Sequence, residues 1–466
     1  MPPSVLWFRR DLRLGDNPAL AAAAAEGLVL PLFVFDPALW DPAGPARRAY
    51  LLRSLRALDD SIDGRLHVRV CLPGRRVADV VAEVAASAGA RSVHVAADFG
   101  PYGARRDAAV EDALAAAGRS LVRTGSAYAV APGRVRKSDG QPYRVYSPFF
   151  RAWAAHGWRA PSADPTPAVR WTSATGSQPL PSEPDLAGVV LPPVGEAAAL
   201  ARWSGFLSSG ALQRYGADRD RPDLSATSGL SAALRWGEVH PRTLLAELGD
   251  PGDSGRSGPE VFRKELAWRE FYADVLHHAP ASSRVSLRAD LGRMEYDSGP
   301  AAESRFTAWC EGRTGFPFVD AGLRQLLAEG WMHNRVRMVV ASFLVKDLHL
   351  PWTRGARWFM QRLRDGDLAS NQHGWQWVAG TGTDAAPYHR VFNPVRQGLK
   401  FDPDGAYVRR YIPELAGVEG PAIHEPWTLE GGPPRGYPAR IVDHGEERGV
   451  ALSRYAATAV RRLDET

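Results

Sequence analysis

The first 130 residues alternate two patterns, and this alternation leaves few architectures open. "SVLWF", "LVLPLFVFD", "LHVRVCL", "SVHVAAD" and "SLVRTG" are short apolar runs rich in β-branched residues. Between them lie "NPALAAAAAEG", "ARRAYLLRSLRALDDSI", "RVADVVAEVAASAG" and "YGARRDAAVEDALAAAG", which are helical in period and mostly end at glycine. Strand–helix alternation of this kind predicts an α/β domain built on a doubly wound parallel sheet. No G-x-G-x-x-G follows the first strand. The usual dinucleotide fingerprint is therefore absent, and a cofactor would bind in another way.

At 466 residues the chain is too long for one ordinary core. From about Arg159 to Gly195 the sequence turns rich in proline, serine and glycine, which reads as a connector. Beyond it helical periodicity dominates, as in "VFRKELAWREFYADVLHHA" and "NRVRMVVASFLVKDL", and strand signals nearly vanish. The expected organisation is an α/β domain over 1–130, a linker over 131–196 and an all-α domain over 197–466. No internal repeat is visible.

No apolar run reaches the roughly 18 residues a membrane span needs. "MPPSVLWFRRDLR" carries charges where a signal peptide needs its apolar stretch. The two cysteines, Cys71 and Cys310, are far apart and give no disulfide framework or thiolate metal site. These features predict a cytoplasmic protein with no membrane contact. Net charge is +5 and the pI about 9.3, which permits a polyanionic partner without requiring one. Most of the 15 tryptophans follow residue 200, interleaved with arginine. That is either a large helical core with arginine on its surface or a groove that stacks bases and holds phosphates.

Four stretches carry chemistry. In "TSGLSAALRWG" (227–237), Thr and Ser precede an apolar helical run, as an N-cap does; the free N–H groups of such a helix start also suit phosphate. In "KELAWREFY", Glu265, Trp268 and Arg269 stand at i, i+3 and i+4 on one helix face. They make either a base-binding face or a surface ion pair beside a core indole. In "GWMHNRVRM", Asn334 and Met338 are i, i+4 with Arg335 adjoining, which fits a nucleotide site or an ordinary amphipathic turn. His333 alone is no evidence of a metal, and no metal-ligand spacing occurs, so no metal site is expected. In "DGDLASNQHGWQW" (365–377), Asp367 and Asn371 are i, i+4 beside two tryptophans. Buried acids are costly when unpaired, so this stretch favours a ligand, such as a heterocycle N–H or a ribose hydroxyl.

Taken together, "WFRRDLRLGDNPAL", "ELAWREF", "TGFPFVDAGLRQL", "GWMHNRVRM", "ASFLVKDL", "DGDLASNQHGWQW", "TGTDAAP" and "VFNP" resemble the photolyase/cryptochrome family in order and spacing, over nearly the whole chain except the connector. The resemblance implies an N-terminal α/β domain, a long linker and a helical domain holding FAD. It implies that Tyr215, Thr227, Ser228, Gly229, Leu230 and Ser231 cradle the FAD phosphates. Arg269, Asp365 and Asp367 would contact flavin and ribose, Asn371 would face flavin N5, and Phe262 would stand on the flavin-side helix in place of a tryptophan. The implied activity is light-driven splitting of cyclobutane pyrimidine dimers in single- or double-stranded UV-damaged DNA by FAD in its reduced form. Glu265 and Asn334 would bond the base edges of the flipped dimer. Trp268, Trp377 and Met338 would surround it, and Arg219, Arg335 and Lys400 would hold flanking phosphates.

Within the family, Asn371, Trp377 and the Asn334–Met338 pair resemble class I cyclobutane-dimer photolyases. A light-sensing cryptochrome is the alternative and a 6-4 photolyase the third reading. The stretches "ADFGPYGARRD", "GPARRAYL" and "AALRWG" resemble the 8-hydroxy-deazaflavin type of antenna site, with Asp98, Arg47 and Arg235 as contacts; folate or no antenna are the alternatives. Arg235 stands where the similar pattern has lysine, and a planar fork does not inherit a point charge's geometry. For photoreduction the resemblance implies a relay of Trp375 and Trp352, with Tyr296 the nearest counterpart of its third tryptophan. His389 is assigned no role. A monomer is expected.

Overall fold

The computed structural model describes residues 2–166, 169–249, 257–384 and 390–464. Two compact units emerge. The first comprises Met1–Ala187, Leu191–Gly210 and Ser228–Pro280; the second comprises Gly188–Val190, Ala211–Thr227 and Ala281–Thr466.

The first unit holds a six-stranded sheet of β1 (Ser4–Phe8), β2 (Leu28–Phe35), β3 (His67–Val70), β4 (Ser92–Ala97), β5 (Ser120–Ser126) and β6 (Arg170–Trp171). The order is β3-β2-β1-β4-β5, with β6 also beside β2, and every pairing is parallel. The period of two sorts side chains between two cores. Leu6 and Phe8 face a cluster with Tyr50, Leu52 and Trp236, while Val5 and Trp7 face one with Val80, Val84 and Val110. Helices thus cover both faces, which explains the nearly continuous apolar strands. β1 and β4 are neighbours although β2 and β3 intervene in sequence. Their carboxyl ends mark the place where ligands enter open α/β sheets.

Five of these strands are the five predicted. The sixth lies in the expected linker, which also contains the Tyr146–His156 helix. Composition predicts a tether there, and the structure instead pins the chain to the sheet edge. Arg170 and Trp171 pair with Leu28 and Val29. Gln178 N donates to Val68 O at 2.9 Å, Val68 N donates to Ser177 Oγ at 3.0 Å, and Val70 N donates to Gln178 Oε1 at 2.7 Å. Glu183 pairs with Arg53 at 2.6 Å and Arg56 at 2.8 Å. An edge needs hydrogen bonds more than apolar surface, so polar sequence suffices.

The rest of the first unit is helical and includes Glu196–Ser208, Ser231–Trp236 and Gly258–His278. In the second unit the described residues form helices and no strand. Pro317–Glu329, Asn334–Ser342, Trp352–Arg362, Leu368–Ala379 and Pro394–Phe401 enclose a core containing Trp309, Phe316, Phe318, Val340, Trp352 and Trp375. Gly355 is required there, because a Cβ on it would lie 2.1 Å from the Trp375 ring. Among the described residues, no helix is long and apolar enough to cross a membrane.

Candidate FAD, lesion and antenna residues

In the second unit, Asp367 is the N-cap of Leu368–Ala379, accepting from Ser370 N at 3.0 Å. Asn371 follows in the first turn of that helix. Its Nδ2 donates to Ala356 O at 3.0 Å and to Gln372 Oε1 at 2.8 Å, which leaves its carbonyl oxygen as the acceptor it can offer. Asp365 is buried. Its Oδ2 accepts from Arg337 at 2.8 Å, and its Oδ1 is buried with no hydrogen-bond partner among the described residues. A carboxylate oxygen left so is expensive unless a ligand donates to it. His373, one turn beyond Ala369, is pushed down to about 4 by burial and is therefore neutral at pH 7.

Helix Asn334–Ser342 is capped by His333, whose Nδ1 accepts from Arg335 N at 3.2 Å. Asn334 is exposed and Met338 half-buried. Arg335 pairs with Asp220 at 2.6 Å and lies 4.6 Å over the Phe401 ring, and Lys400 lies 5.1 Å over the same ring. Arg219 lies 5.8 Å over Tyr215, which is buried on Ala211–Asp218. Trp377 is half-buried against the core. Trp375 and Trp352 are buried without ring contact between them. The ring neighbours of Trp375 are Phe359 at 5.0 Å and Trp309 at 6.2 Å, and Trp358 lies 5.1 Å from Trp309. Tyr296 packs with Met294, Ala451 and Tyr455; burial pushes its phenol up to about 12, and no hydrogen bond reaches it among the described residues.

The first unit carries the remaining residues. The stretch at 227–231 departs from the expected capping. Leu230 is the N-cap of Ser231–Trp236, and no side-chain bond caps that helix. Gly229, at φ +62, turns the chain there, so Thr227 and Ser228 sit too early to cap. Uncapped N–H groups at a helix start suit a phosphate. Arg269 donates to Ala127 O at 2.9 Å and Leu234 O at 3.1 Å, and stacks on Tyr128 at 4.7 Å. Phe262 is buried against Trp203 at 5.2 Å and Phe206 at 5.6 Å. Glu265 and Trp268 are both half-buried on Gly258–His278.

At the carboxyl ends of β1 and β4 a charged cluster surrounds Trp7. Arg9 and Arg106 lie 4.7 and 5.0 Å over its ring, and Arg9 pairs with Asp107 at 2.5 Å. Burial pushes the Asp98 carboxyl up, but Arg10, Arg106 and Arg9 together hold it below its ordinary range. Gly103 makes room for it, since a Cβ there would meet the carboxyl at 2.2 Å. Arg10 Nε donates to Arg235 O at 3.4 Å, and Arg235 lies 4.6 Å over Trp236. Arg47 is buried on Pro45–Asp60.

Sequence reasoning missed Arg337, although "NRVRM" displays it one turn past Asn334. It also missed Tyr146 beneath Trp268, which no local pattern announces. His389 lies outside the described residues.

A parallel α/β sheet in one unit, a helical unit with a buried carboxylate oxygen lacking a partner among the described residues, and a basic, tryptophan-rich sequence describe a two-part α/β and all-α protein with a polar site ready for a ligand. Residues 4–169 match the DNA photolyase family, and residues 262–457 match the FAD binding domain of DNA photolyase. The chain belongs to the DNA photolyase family and is an FAD-binding enzyme of light-driven DNA repair. It is 42% identical to a deoxyribodipyrimidine photo-lyase of Streptomyces griseus, over 96% of this chain and 98% of that one. Among solved structures it is similar to a bacterial class III photolyase from Agrobacterium tumefaciens, with TM-score 0.89, 38% identity and 98% of each chain covered. It is also similar to an archaeal photolyase from Sulfolobus tokodaii with two FAD molecules, with TM-score 0.81, 27% identity, and 98% and 100% of the two chains covered.

Proposed function

We propose that the protein splits cyclobutane pyrimidine dimers, and that the residues above divide the work as follows. FAD would be held by Asp365, Asp367 and Asn371, with Tyr215, Thr227, Ser228, Gly229, Leu230, Ser231, Phe262 and Arg269 as its further contacts. Asp365 carries this reading, because its buried Oδ1 has the environment of an acceptor awaiting a heterocycle or ribose donor. Asn371 offers its carbonyl oxygen to flavin N5–H. Bound in its reduced form, FAD would supply the light-driven one-electron chemistry that opens the dimer's cyclobutane ring, with no net oxidation or reduction.

The protein's part is placement. A dimer is poorly stacked and poorly paired, so extruding it costs less than extruding a normal base. Glu265 and Asn334 bond its base edges. Trp268, Trp377 and Met338 supply apolar walls that exclude water, and Arg219, Arg335 and Lys400 grip flanking phosphates. Trp375 and Trp352 deliver electrons for activation. Asp98, Arg47 and Arg235 hold an antenna chromophore at the sheet's switch point; an 8-hydroxy-deazaflavin fits the two arginines as an anion, with folate the alternative. The protein works as a cytoplasmic monomer.

The test is repair itself. Chemically reduced, anaerobic protein is mixed with an oligonucleotide bearing one thymine cyclobutane dimer and illuminated, with a dark control and a 6-4 lesion in parallel. Light-dependent recovery of thymines from the cyclobutane dimer alone is expected. Failure on both lesions would make the protein a light sensor instead.

A further inference from the structure

We propose that Tyr146 is a positioning residue for the lesion, acting by fixing the plane of the Trp268 indole. The inference rests on the reading that Trp268 forms one wall for the extruded dimer. The Tyr146 and Trp268 rings are 3.7 Å apart between centroids and 7° from parallel. The Tyr146 hydroxyl donates to Lys264 O at 2.6 Å, one helical turn before Trp268. The phenol is thus tied to the same helix as the indole it supports. Phe150 stacks on Tyr146 at 6.0 Å, and Phe271 closes an edge of both rings, 5.8 Å from Tyr146 and 5.6 Å from Trp268. Tyr146 is buried while Trp268 keeps partial exposure.

An exposed indole without backing samples several rotamers, and freezing one on binding costs affinity. Stacking on an anchored ring removes that cost beforehand, as designed sites require of their supporting residues. Tyr146 also begins a helix, Tyr146–His156, in the stretch whose composition reads as linker. The stack therefore gives that stretch a part in lesion recognition.

The experiment measures binding of labelled duplexes, with and without one thymine dimer, by fluorescence anisotropy in the dark. Tyr146→Leu is expected to weaken dimer binding about fivefold, with undamaged duplex binding unchanged. Tyr146→Phe keeps the stack and should restore affinity to within about twofold. In a Trp268→Ala background, Tyr146→Leu should add less than about twofold, because its effect passes through the indole. An equal loss on both duplexes, or an undiminished loss in that background, would overturn the inference in favour of a general structural role. Weakening by Trp268→Ala but not by Tyr146→Leu would overturn it while leaving the Trp268 role intact. No weakening by Trp268→Ala would overturn the wall reading and this inference with it.

Discussion

Arg337 Nη2 lies 2.8 Å from Asp365 Oδ2, while the second carboxylate oxygen of Asp365 is buried without a partner among the described residues. The protein thus holds a half-satisfied acid in its helical unit. Removing Arg337 as Arg337→Met should destabilise the FAD-free protein by about 2 kcal/mol, because a buried charge loses its counter-ion, though Arg337 itself is partly solvated. Asp365→Asn should cost the FAD-free protein less but release FAD on desalting. Denaturant melts before and after FAD removal, with flavin absorbance after gel filtration, check both outcomes.

Photoreduction should separate Trp375 from Tyr296. Trp375→Phe is expected to slow light-driven reduction of bound FAD more than about tenfold, because it removes the buried indole at the head of the proposed relay. Tyr296→Phe should change it less than about twofold. Oxidised tyrosine must shed its proton, and this phenol, pushed up to about 12, has no hydrogen-bond acceptor among the described residues. Transient absorption under blue light with a thiol reductant reads both rates.

Phe401 supports both Arg335 and Lys400, so Phe401→Leu should weaken binding to undamaged and damaged duplex alike. Lys400→Ala should lower the slope of log affinity against log salt by about 1, the signature of one lost phosphate contact. Asp220→Asn should raise affinity, since it frees Arg335 from a competing carboxylate. A salt titration of binding distinguishes the three.

Acid stability follows from His333. Burial pushes it down to about 4 from an ordinary 6.5, with nearby Asp220 opposing. The unfolded chain therefore binds the proton first as pH falls. The stability that His333 contributes is complete above about pH 6.5 and is lost toward pH 4, about 2 kcal/mol between pH 7 and 5. Asp347 and Asp402, pushed up to about 6 by burial, act in the opposite sense. The difference between wild type and His333→Asn is therefore the diagnostic quantity. Asparagine retains an N-cap acceptor and should flatten the loss between pH 7 and 5.

Five strands were readable because each is a short apolar run between helical stretches; β6 was not, because Arg170–Trp171 is a two-residue strand in proline-rich polar sequence whose pairing with Leu28 and Val29 is nonlocal. Asp367 displayed the signal of a helix cap, an acid before an apolar run, yet its spacing to Asn371 reads equally as a helix face. Thr227 and Ser228 gave the converse error. They look like caps, but the positive φ of Gly229 delays the helix to Ser231. Phe262 reads as a flavin neighbour by position and lies in an aromatic cluster with Trp203 and Phe206. Tyr146 was invisible because stacking on Trp268 joins residues 122 positions apart, beyond the reach of any local period. Asp365 showed its acid, though not that one oxygen would be paired and the other orphaned.

The polar strip along the sheet edge sets how this protein can be dissected. A fragment ended at residue 130 would keep five strands, yet Val68 N, Val70 N and Val68 O would lose the groups supplied by Ser177 and Gln178, and Leu28 and Val29 their partners in β6. Such a truncated sheet would offer a template to other copies of itself and should precipitate rather than refold. The smallest autonomous piece of the α/β half therefore extends past Glu183, well into sequence whose composition looks dispensable.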